Sequence, residues 1–482
     1  KTIGNVQKDA QVRAVASGAL SNGDTVIVNS DGTVSAVSET IVNPAFGSKA
    51  QFESGNTSKH AVAYDSTNNR VVFVYSDDDN SNYGTACVGQ INTSDNSISF
   101  GTPVVFESAT VSNTMGATFD SSAGKIVISY QDGGNSNYGT AIVGTVSGTS
   151  ITFGTAVVFE TANSYEPLIA YDTNASKCLI IYNKNSAFGE AIVGTVSGTS
   201  ISFGSPSTFQ SNGVSNYSLA FDSNQNRFLI AYRDDSATTG KGVVATISGT
   251  SVNFSTVVTF ESGSTWDTAC SYDSDNQVVI VFYRDNGNSD YATAVIGTIS
   301  GNAVSFSTPE VLVEENWRNI RAVYDPIAQK TILGFRTNLT PRYGQLKPIT
   351  LSGTTFTVGS TATFNSAQTT DFGQAYASSD SRIVFGFKDG GNGGRGNAIV
   401  YNAGSITRNL TSDNFIGFAD GAYADTQSAV INTACSVHRS QTSLTAGQKY
   451  YVQTDGSLGL TAADPSVEAG TAISSTEILV KG

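Results

Sequence analysis

The sequence predicts an all-β protein: a seven-bladed β-propeller with a small β domain formed by the N- and C-terminal segments. The first observation behind this prediction is a repeat. The ten residues AIVGTVSGTS occupy 141–150 and again 191–200, with weaker copies at 242–251 and 294–303. Their apolar residues alternate with the period of a strand, and the Gly of Ser-Gly-Thr permits a tight turn. Recurrence at about fifty residues is typical of stacked supersecondary units.

A second periodic feature gives the number of repeats. An aromatic residue followed by aspartate closes one apolar run in six repeats, and the seventh repeat has Ala377 in place of the aspartate. The six aspartates are Asp65, Asp120, Asp172, Asp222, Asp273 and Asp325. Each is expected to cap a turn, because one carboxylate per turn does not supply the roughly six to eight oxygens that calcium takes.

Each repeat is predicted to form four antiparallel strands, for example 217–222, 227–234, 240–248 and 251–260 in the fourth repeat. Four strands in about fifty residues is the length of a propeller blade. The segment 45–54 resembles a fourth strand but precedes the first complete repeat. We therefore expect it to pair with the last repeat near 397–401 and to close the ring.

The two chain ends share one motif. Residues 443–460 align with residues 19–36 at a constant offset of 424, which superposes Asp31-Gly32 on Asp455-Gly456. The predicted domains are 1–44, the N-terminal β segment of a small domain; 45–404, the propeller; and 405–482, the C-terminal β segment of the small domain.

The composition limits the function. The net charge is −14, which argues against nucleic-acid binding because phosphate contacts need Lys and Arg. The sequence lacks 18 consecutive apolar residues, so membrane insertion is not expected. The four cysteines lie far apart without metal-ligand spacing. No cofactor is expected, apart from a candidate calcium site in the loop that contains Asp77, Asp78 and Asp79.

Cations and aromatic residues mark one face of the predicted propeller. The residue after the second-strand aromatic is cationic in four consecutive repeats: Arg233, Arg284, Arg336 and Lys388. The loops predicted to lead into the first strands carry Tyr165, Trp266 and Trp317. Aromatic rings pack on sugar CH groups and guanidinium groups bind carboxylates in bidentate fashion, so these residues suit an acidic glycan. The alternative is that the cations are solvated and paired with Asp234, Asp285 and Asp389, and that the Trp side chains pack at blade edges.

Catalysis is the less favoured interpretation. The order of turn, strand, long loop and strand resembles the blades of sialidase-like propellers. A sialidase needs an arginine triad, a Tyr nucleophile with a Glu partner and an acidic Asp. No local motif identifies these residues beyond the arginines, so we expect no enzyme activity.

Three end segments carry a resemblance to a known family. NFIGFADGAYADTQSAVI (414–431), SLTAGQKYYVQTDGSLG (443–459) and SVEAGTAISSTEILVKG (466–482) resemble a C-terminal module of structural proteins from phages of marine bacteria. The repeat segment DGGNSNYGTAIVGTVSG (132–148) looks similar to repeats of the same kind of protein.

This resemblance implies a virion structural protein of the tail-fibre or receptor-binding appendage type, assembled in the cytoplasm of the bacterial host. Its implied partners are other virion proteins in a larger assembly and a host-surface glycan or receptor. Two alternatives stay open: a secreted bacterial carbohydrate-binding or adhesin propeller, and a sialidase-like glycan hydrolase.

Overall fold

A computed structural model describes residues 10–481. These residues form strands and turns, with two 3-10 turns at Asn286–Asn288 and Gly390–Asn392 and no α-helix. Within them, no helix has the length and apolar character needed to cross a bilayer. The all-β prediction is therefore confirmed.

The chain divides into two compact units at Val42/Asn43 and Ala403/Gly404. The sequence-based boundaries lie after residues 44 and 404. We name residues 43–403 the repeat array, and the described chain ends, 10–42 and 404–481, the terminal unit.

The repeat array is built from one antiparallel pairing pattern that occurs seven times, in repeats A to G. The first strands are Ala50–Asp65, Val104–Asp120, Val157–Asp172, Val214–Asp222, Val258–Asp273, Glu310–Asp325 and Thr369–Ala377. The second strands are Arg70–Asp77, Lys125–Asp132, Lys177–Lys184, Arg227–Asp234, Val278–Asp285, Lys330–Thr337 and Arg382–Asp389. The third strands are Tyr83–Asn92, Tyr138–Ser147, Phe188–Ser197, Thr239–Ser248, Tyr291–Ser300, Gly344–Ser352 and Arg395–Asn402.

The fourth strand of each repeat has two parts. The first part is a short strand paired with the end of the third: Ser97–Phe100, Ser150–Phe153, Ser200–Phe203, Ser251–Phe254, Ala303–Phe306, Thr355–Val358 and, for repeat G, Ala45–Phe46. The second part is either Ser207–Gln210 in repeat C, Ala362–Asn365 in repeat F, or the beginning of the next long first strand.

The array closes on itself through its N-terminal strands. Residues 45–46 pair with Tyr401 and Asn402, and residues 50–56 pair with 395–398 of repeat G. The same strand then continues as the first strand of repeat A, from Thr57 to Asp65. The predicted pairing of 45–54 with the last repeat is confirmed.

The recurring aspartates cap turns, as predicted. Asp65 Oδ1 accepts hydrogen bonds from the backbone nitrogens of Thr67 and Asn68, both at 3.0 Å. The other five aspartates accept the same two bonds: Asp120, Asp172, Asp222, Asp273 and Asp325. These bonds satisfy turn amides that would otherwise lack partners.

The core lies between neighbouring repeats. Along the second strand of repeat E, Val279, Val281 and Tyr283 pack against repeat D, whereas Ile280 and Phe282 pack against repeat F. Both faces of the strand are thus buried, so the sequence is a continuous apolar run instead of an alternating one. Each such side chain contributes about 1.5–3 kcal/mol when fully buried.

A close contact between hairpins accounts for the glycine that follows the repeated decapeptide. In repeat B the decapeptide forms most of the third strand and the turn at Gly148, whose φ is +58°. The hairpin ends at Gly154, where a Cβ would lie 1.8 Å from the carbonyl oxygen of Thr199 in the next repeat. Only glycine permits this approach, which accounts for the Phe-Gly dipeptide after the hairpin.

The terminal unit contains two five-stranded antiparallel sheets and one separate strand pair. The first sheet has the order Gln11–Val15, Ser428–Asn432, Phe415–Ala419, Thr25–Val28, Val34–Ala36. The second has the order Val437–His438, Ile478–Val480, Val467–Ala472, Lys449–Val452, Leu458–Gly459. The separate pair is Glu39–Val42 with Ser405–Arg408.

The two hairpins that the sequence relates are both in the terminal unit. Asp31 Oδ1 accepts from the backbone nitrogen of Thr33 at 2.9 Å, and Asp455 Oδ1 accepts from that of Ser457 at 2.9 Å. Side chains from both chain ends meet in one core, which includes Ile27 and Val37 from the N-terminal segment together with residues beyond 404.

Candidate functional site

The predicted binding residues lie at the end of the strands where each second strand turns into the third. Near that end, the first and second strands place two residues opposite each other, with both side chains on one face of the sheet. We name these the rim pairs: Ser58–Ser76, Ser112–Gln131, Tyr165–Asn183, Ser215–Arg233, Trp266–Arg284 and Arg318–Arg336. Tyr165 and Trp266 therefore lie inside the first strands, and not in preceding loops as predicted.

Trp317 does not belong to the rim, and the prediction is wrong for this residue. It lies one position before Arg318, and a shift of one residue moves a side chain to the other face of a strand. Trp317 is 1% exposed and stacks on Phe335, with ring centroids 4.2 Å apart. Its Nε1 donates to Glu315 at 2.9 Å. Trp317 is part of the core between repeats E and F.

Trp266 is half-buried and has cations from two repeats beside it. Arg233 Cζ lies 4.5 Å from the centroid of the Trp266 ring, and Arg284 Cζ lies 5.6 Å from it. Cation–π contacts contribute about 0.5–1 kcal/mol at exposed sites and more when desolvated. Arg233 also pairs with Asp235, at 2.6 Å, and not with Asp234 as the alternative interpretation predicted.

Arg284 is buried between two carboxylates. Its Nε lies 3.0 Å from Asp267 Oδ2, and its Nη1 contacts Asp290 Oδ1. Asp285, the partner that the alternative interpretation predicted, instead accepts a bond from the backbone nitrogen of Asn288 and caps the turn. Arg284 is 3% exposed and already paired with two carboxylates, which disfavours the ligand contact predicted for it.

Repeat F carries arginine at the same position without carboxylate partners. Arg336 is half-buried, and its Nε and Nη1 are buried without a hydrogen-bond partner, as is Nε of Arg318 opposite. Arg342 in the following loop is exposed. We name Arg318, Arg336 and Arg342 the arginine cluster. The ion pairs of residues 10–481 include none of the three.

The surroundings of Arg336 disfavour its charged form. Burial lowers the pKa of Arg336, and the neighbouring charges of Arg342 and Arg318 lower it further, while Asp267 acts in the opposite direction. The guanidinium keeps its proton at neutral pH because its ordinary pKa is far higher. The cluster therefore holds positive charge that no carboxylate among the described residues neutralises by direct contact.

Repeats B and C carry an uncharged part of the rim. Asn113 Nδ2 donates to Gln131 Oε1 at 2.6 Å, Gln131 Nε2 donates to Asn163 Oδ1, and Asn163 Nδ2 donates to the hydroxyl of Tyr165 at 2.8 Å. Each amide has two donors and an acceptor with two lone pairs, so these contacts leave hydrogen-bonding capacity. This part of the rim combines planar amides with an aromatic ring.

A polar cavity of about 390 Å³ is lined by the first strands of the array. Its lining includes Glu166, Asn216, Asp267 and Asn319, each of which follows a rim residue directly and has a positive φ. Glu166 lines the cavity and is exposed to it. Burial raises its pKa, and the charge of Arg321 opposes that shift. The rim is thus continuous with polar groups that reach inward.

Four repeats contain a tyrosine whose hydroxyl donates to a glutamate. The pairs are Tyr75–Glu53, Tyr130–Glu107, Tyr182–Glu160 and Tyr283–Glu261, at 2.9 to 3.1 Å. Burial raises the pKa of each tyrosine, and the glutamate raises it further. Each of the four tyrosines is 0% exposed, so its hydroxyl lies out of reach of a substrate at the surface. These pairs have the properties of structural hydrogen bonds between strands.

The loop predicted as a calcium site uses its carboxylates in other contacts. Asp77 accepts from the backbone of its own turn, Asp78 lies 3.4 Å from Lys388 Nζ, and Asp79 accepts from the backbone nitrogen of Asn56 at 2.9 Å. Across residues 10–481, no group of three or more His, Cys, Asp or Glu side chains could hold a metal ion. The calcium site stays a prediction from the sequence.

Comparisons with known proteins bear on the fold. No family model matches the sequence, and no curated protein matches it. The chain is similar to the solved structure of BP39L lectin from Burkholderia pseudomallei, with 11% identity, 74% of this chain and 98% of that chain covered, and a TM-score of 0.54. It is also similar to Chaetomium thermophilum Sqt1 bound to the N-terminus of ribosomal protein L10, with 13% identity, 70% and 85% covered, and a TM-score of 0.45. At 11% identity the likeness to the lectin shows the fold alone. The prediction of an all-β propeller is confirmed, and the number of seven blades stays a prediction.

Proposed function

We propose that the repeat array is a carbohydrate-binding propeller without catalytic activity, and that saccharide binds at the rim. The observation that carries this proposal is the rim itself. On three successive repeats, C to E, it presents the partly exposed rings of Tyr165 and Trp266 beside the planar guanidinium group of Arg233. Sugars are bound by aromatic surfaces that pack on CH groups and by planar donors that reach hydroxyls.

The fold supports the same proposal. BP39L, the solved protein that covers three quarters of this chain, is a lectin by its name. The tyrosine–glutamate pairs favour a binding protein over a hydrolase, because all four tyrosines are fully buried and out of reach of a substrate. The protein would bind the saccharide without making or breaking a covalent bond.

The test of this proposal is saccharide binding by the purified full chain, screened on a glycan array and measured by calorimetry. We expect Trp266→Ala to weaken binding by about thirtyfold, since aromatic anchors at hot spots typically contribute more than ~2 kcal/mol. A matched control is Ile327→Ala, which truncates an apolar side chain that is 56% exposed at the opposite end of the strands. Equal binding by wild type and Trp266→Ala would place the ligand elsewhere, and the absence of any bound saccharide would refute the proposal.

A second proposal concerns where the protein acts. The resemblance of 414–431, 443–459 and 466–482 to a module of phage structural proteins favours display on a virion, as a tail fibre or receptor-binding appendage. Immunogold labelling of intact virions would test it: label on the tail supports this location, and label confined to the bacterial culture fluid supports a secreted adhesin instead.

A further inference from the structure

The arginine cluster contains a contact that normally destabilises a sheet. Arg318 and Arg336 are direct cross-strand neighbours in antiparallel register. Like charges in directly opposite positions repel each other, so such a pair needs a compensating interaction. Arg342 adds a third positive charge close enough to act on Arg336.

Residues 10–481 supply no such compensating interaction. Nε and Nη1 of Arg336 and Nε of Arg318 are buried without a partner, although a buried donor without a partner costs about 1–3 kcal/mol. The two nearby carboxylates, Asp267 and Asp290, both contact Arg284. Asp267 Oδ1 also accepts from the backbone nitrogen of Asn319 at 3.1 Å.

We infer that Arg318, Arg336 and Arg342 form an oxyanion site that binds the acidic group, a carboxylate or a sulfate, of an anionic saccharide. Guanidinium groups bind such oxyanions through paired, charge-assisted hydrogen bonds, and the unpartnered nitrogens of the cluster are donors of that kind. The inference rests on the proposed carbohydrate-binding function and adds the class of saccharide.

The site is unusual for this protein. The chain carries a net charge of −14, so long-range electrostatics repel an acidic polymer, and binding depends on this local cluster. Substitutions in the arginine cluster should therefore weaken the binding of an acidic ligand far more than substitutions of other cationic residues.

The first arm of the experiment uses inorganic sulfate as the probe, with chloride at matched ionic strength as the reference. Binding is measured by isothermal titration calorimetry on the full chain, because Trp317, the sequence neighbour of Arg318, lies in the core on the other face of the strand. We expect a saturable heat of binding with sulfate and none with chloride. The same titration of Arg336→Gln should show at least about tenfold weaker binding, since a charge-assisted hydrogen bond contributes about 1.5–3 kcal/mol.

A second variant guards against misfolding. Arg342→Asp places a carboxylate where repeat E has Asp290, so it supplies the missing partner and should preserve the fold while abolishing sulfate binding. The matched control is Lys330→Gln, which removes one positive charge from the other end of the same strand. Sulfate binding that survives Arg336→Gln and Arg342→Asp, or that falls equally in Lys330→Gln, would overturn the inference.

The second arm separates the inference from the proposed function with three polymers of one backbone: dextran, carboxymethyl-dextran and dextran sulfate. Binding of either charged polymer that Arg342→Asp abolishes supports the inference and identifies the acidic group. Binding of neutral saccharides alone, dependent on Trp266, supports the proposed function and overturns the inference. Binding of inorganic sulfate without any saccharide overturns the proposed function and leaves an oxyanion site for another ligand.

Discussion

Repeats E and F place arginine at the same point of the same strand and give it opposite surroundings. Arg284 and Arg336 are 52 residues apart and occupy equivalent rim pairs. In repeat E the arginine contacts Asp267 and Asp290. The equivalent positions in repeat F, again 52 residues on, hold Asn319 and Arg342.

This difference shows that an arginine's role is set by its partners and not by its place in the repeat. In repeat E the guanidinium joins the first strand to the loop after the second strand, and its charge is neutralised. In repeat F the amide and the extra cation remove that neutralisation, and the guanidinium is left with unpartnered nitrogens. A structural residue and a candidate ligand-binding residue therefore arise from one backbone position.

The largest expected effect contrasts the two tryptophans. Trp317→Ala should lower the free energy of unfolding by about 3–5 kcal/mol, because it opens a cavity in the core between repeats E and F. Trp266→Ala should cost less than half of that, because its ring is half-buried at the rim. Urea denaturation followed by circular dichroism measures both. Equal decreases in the free energy of unfolding would contradict the assignment of Trp317 to the core and Trp266 to the rim.

The second effect contrasts the two arginines directly. Arg284→Gln leaves Asp267 and Asp290 without their cation. Removing one member of a buried pair costs about 3–5 kcal/mol, and the partial exposure of both carboxylates reduces this to about 2 kcal/mol. Arg336→Gln should change stability by less than about 0.5 kcal/mol, because it removes a repulsive contact. A greater loss for Arg336→Gln than for Arg284→Gln would contradict the comparison.

The smallest effect is the acid sensitivity of repeat E. Burial acts to raise the pKa of Asp290, but the hydrogen bond from Asn286 and the charge of Arg284 outweigh it, so the pKa lies below the ordinary value. A carboxyl group with a lowered pKa stabilises the fold above its unfolded-state pKa and loses that contribution as the pH falls through the folded value. We expect Asp290→Asn to be less stable than wild type at neutral pH and the two stability curves to converge below about pH 4. Parallel curves from pH 7 to pH 3 would show that Asp290 contributes nothing through its charge.

Much of the array could be predicted from the sequence because individual residues recur at equivalent positions of successive repeats. The aspartates from Asp65 to Asp325 fix the register of the repeats, and each caps the turn that its position indicates. The pairing of 45–54 with repeat G followed from counting strands, since one fourth strand was left over at the start.

The site was predicted less well, for physical reasons. Successive side chains of a strand point to opposite faces. Trp266 lies directly opposite Arg284, whereas Trp317 lies one residue before the position opposite Arg336 and therefore faces the core. Without the register of the strands, the sequence could not separate them. The partners of Arg284 come from another strand and from a loop, whereas sequence proximity favoured Asp285.

Arg318 was missed although a signal was present. Counting 52 residues on from Trp266 leads to Arg318, and counting 52 on from Asp290 leads to Arg342. Alignment of full repeats, in place of alignment of second strands alone, would have identified both members of the cluster. The absence of partners for Arg336 could not be predicted, because it depends on which side chains the register brings together.

The central claim is that the arginine cluster of repeat F binds an oxyanion whereas the equivalent arginine of repeat E does not. The most direct measurement is an anomalous difference map from crystals soaked in selenate, a scattering analogue of sulfate. We predict one strong peak within hydrogen-bond distance of the guanidinium groups of Arg318 and Arg336, and no peak at Arg284. A map with no peak at the cluster, or with an equal peak at Arg284, would contradict the claim.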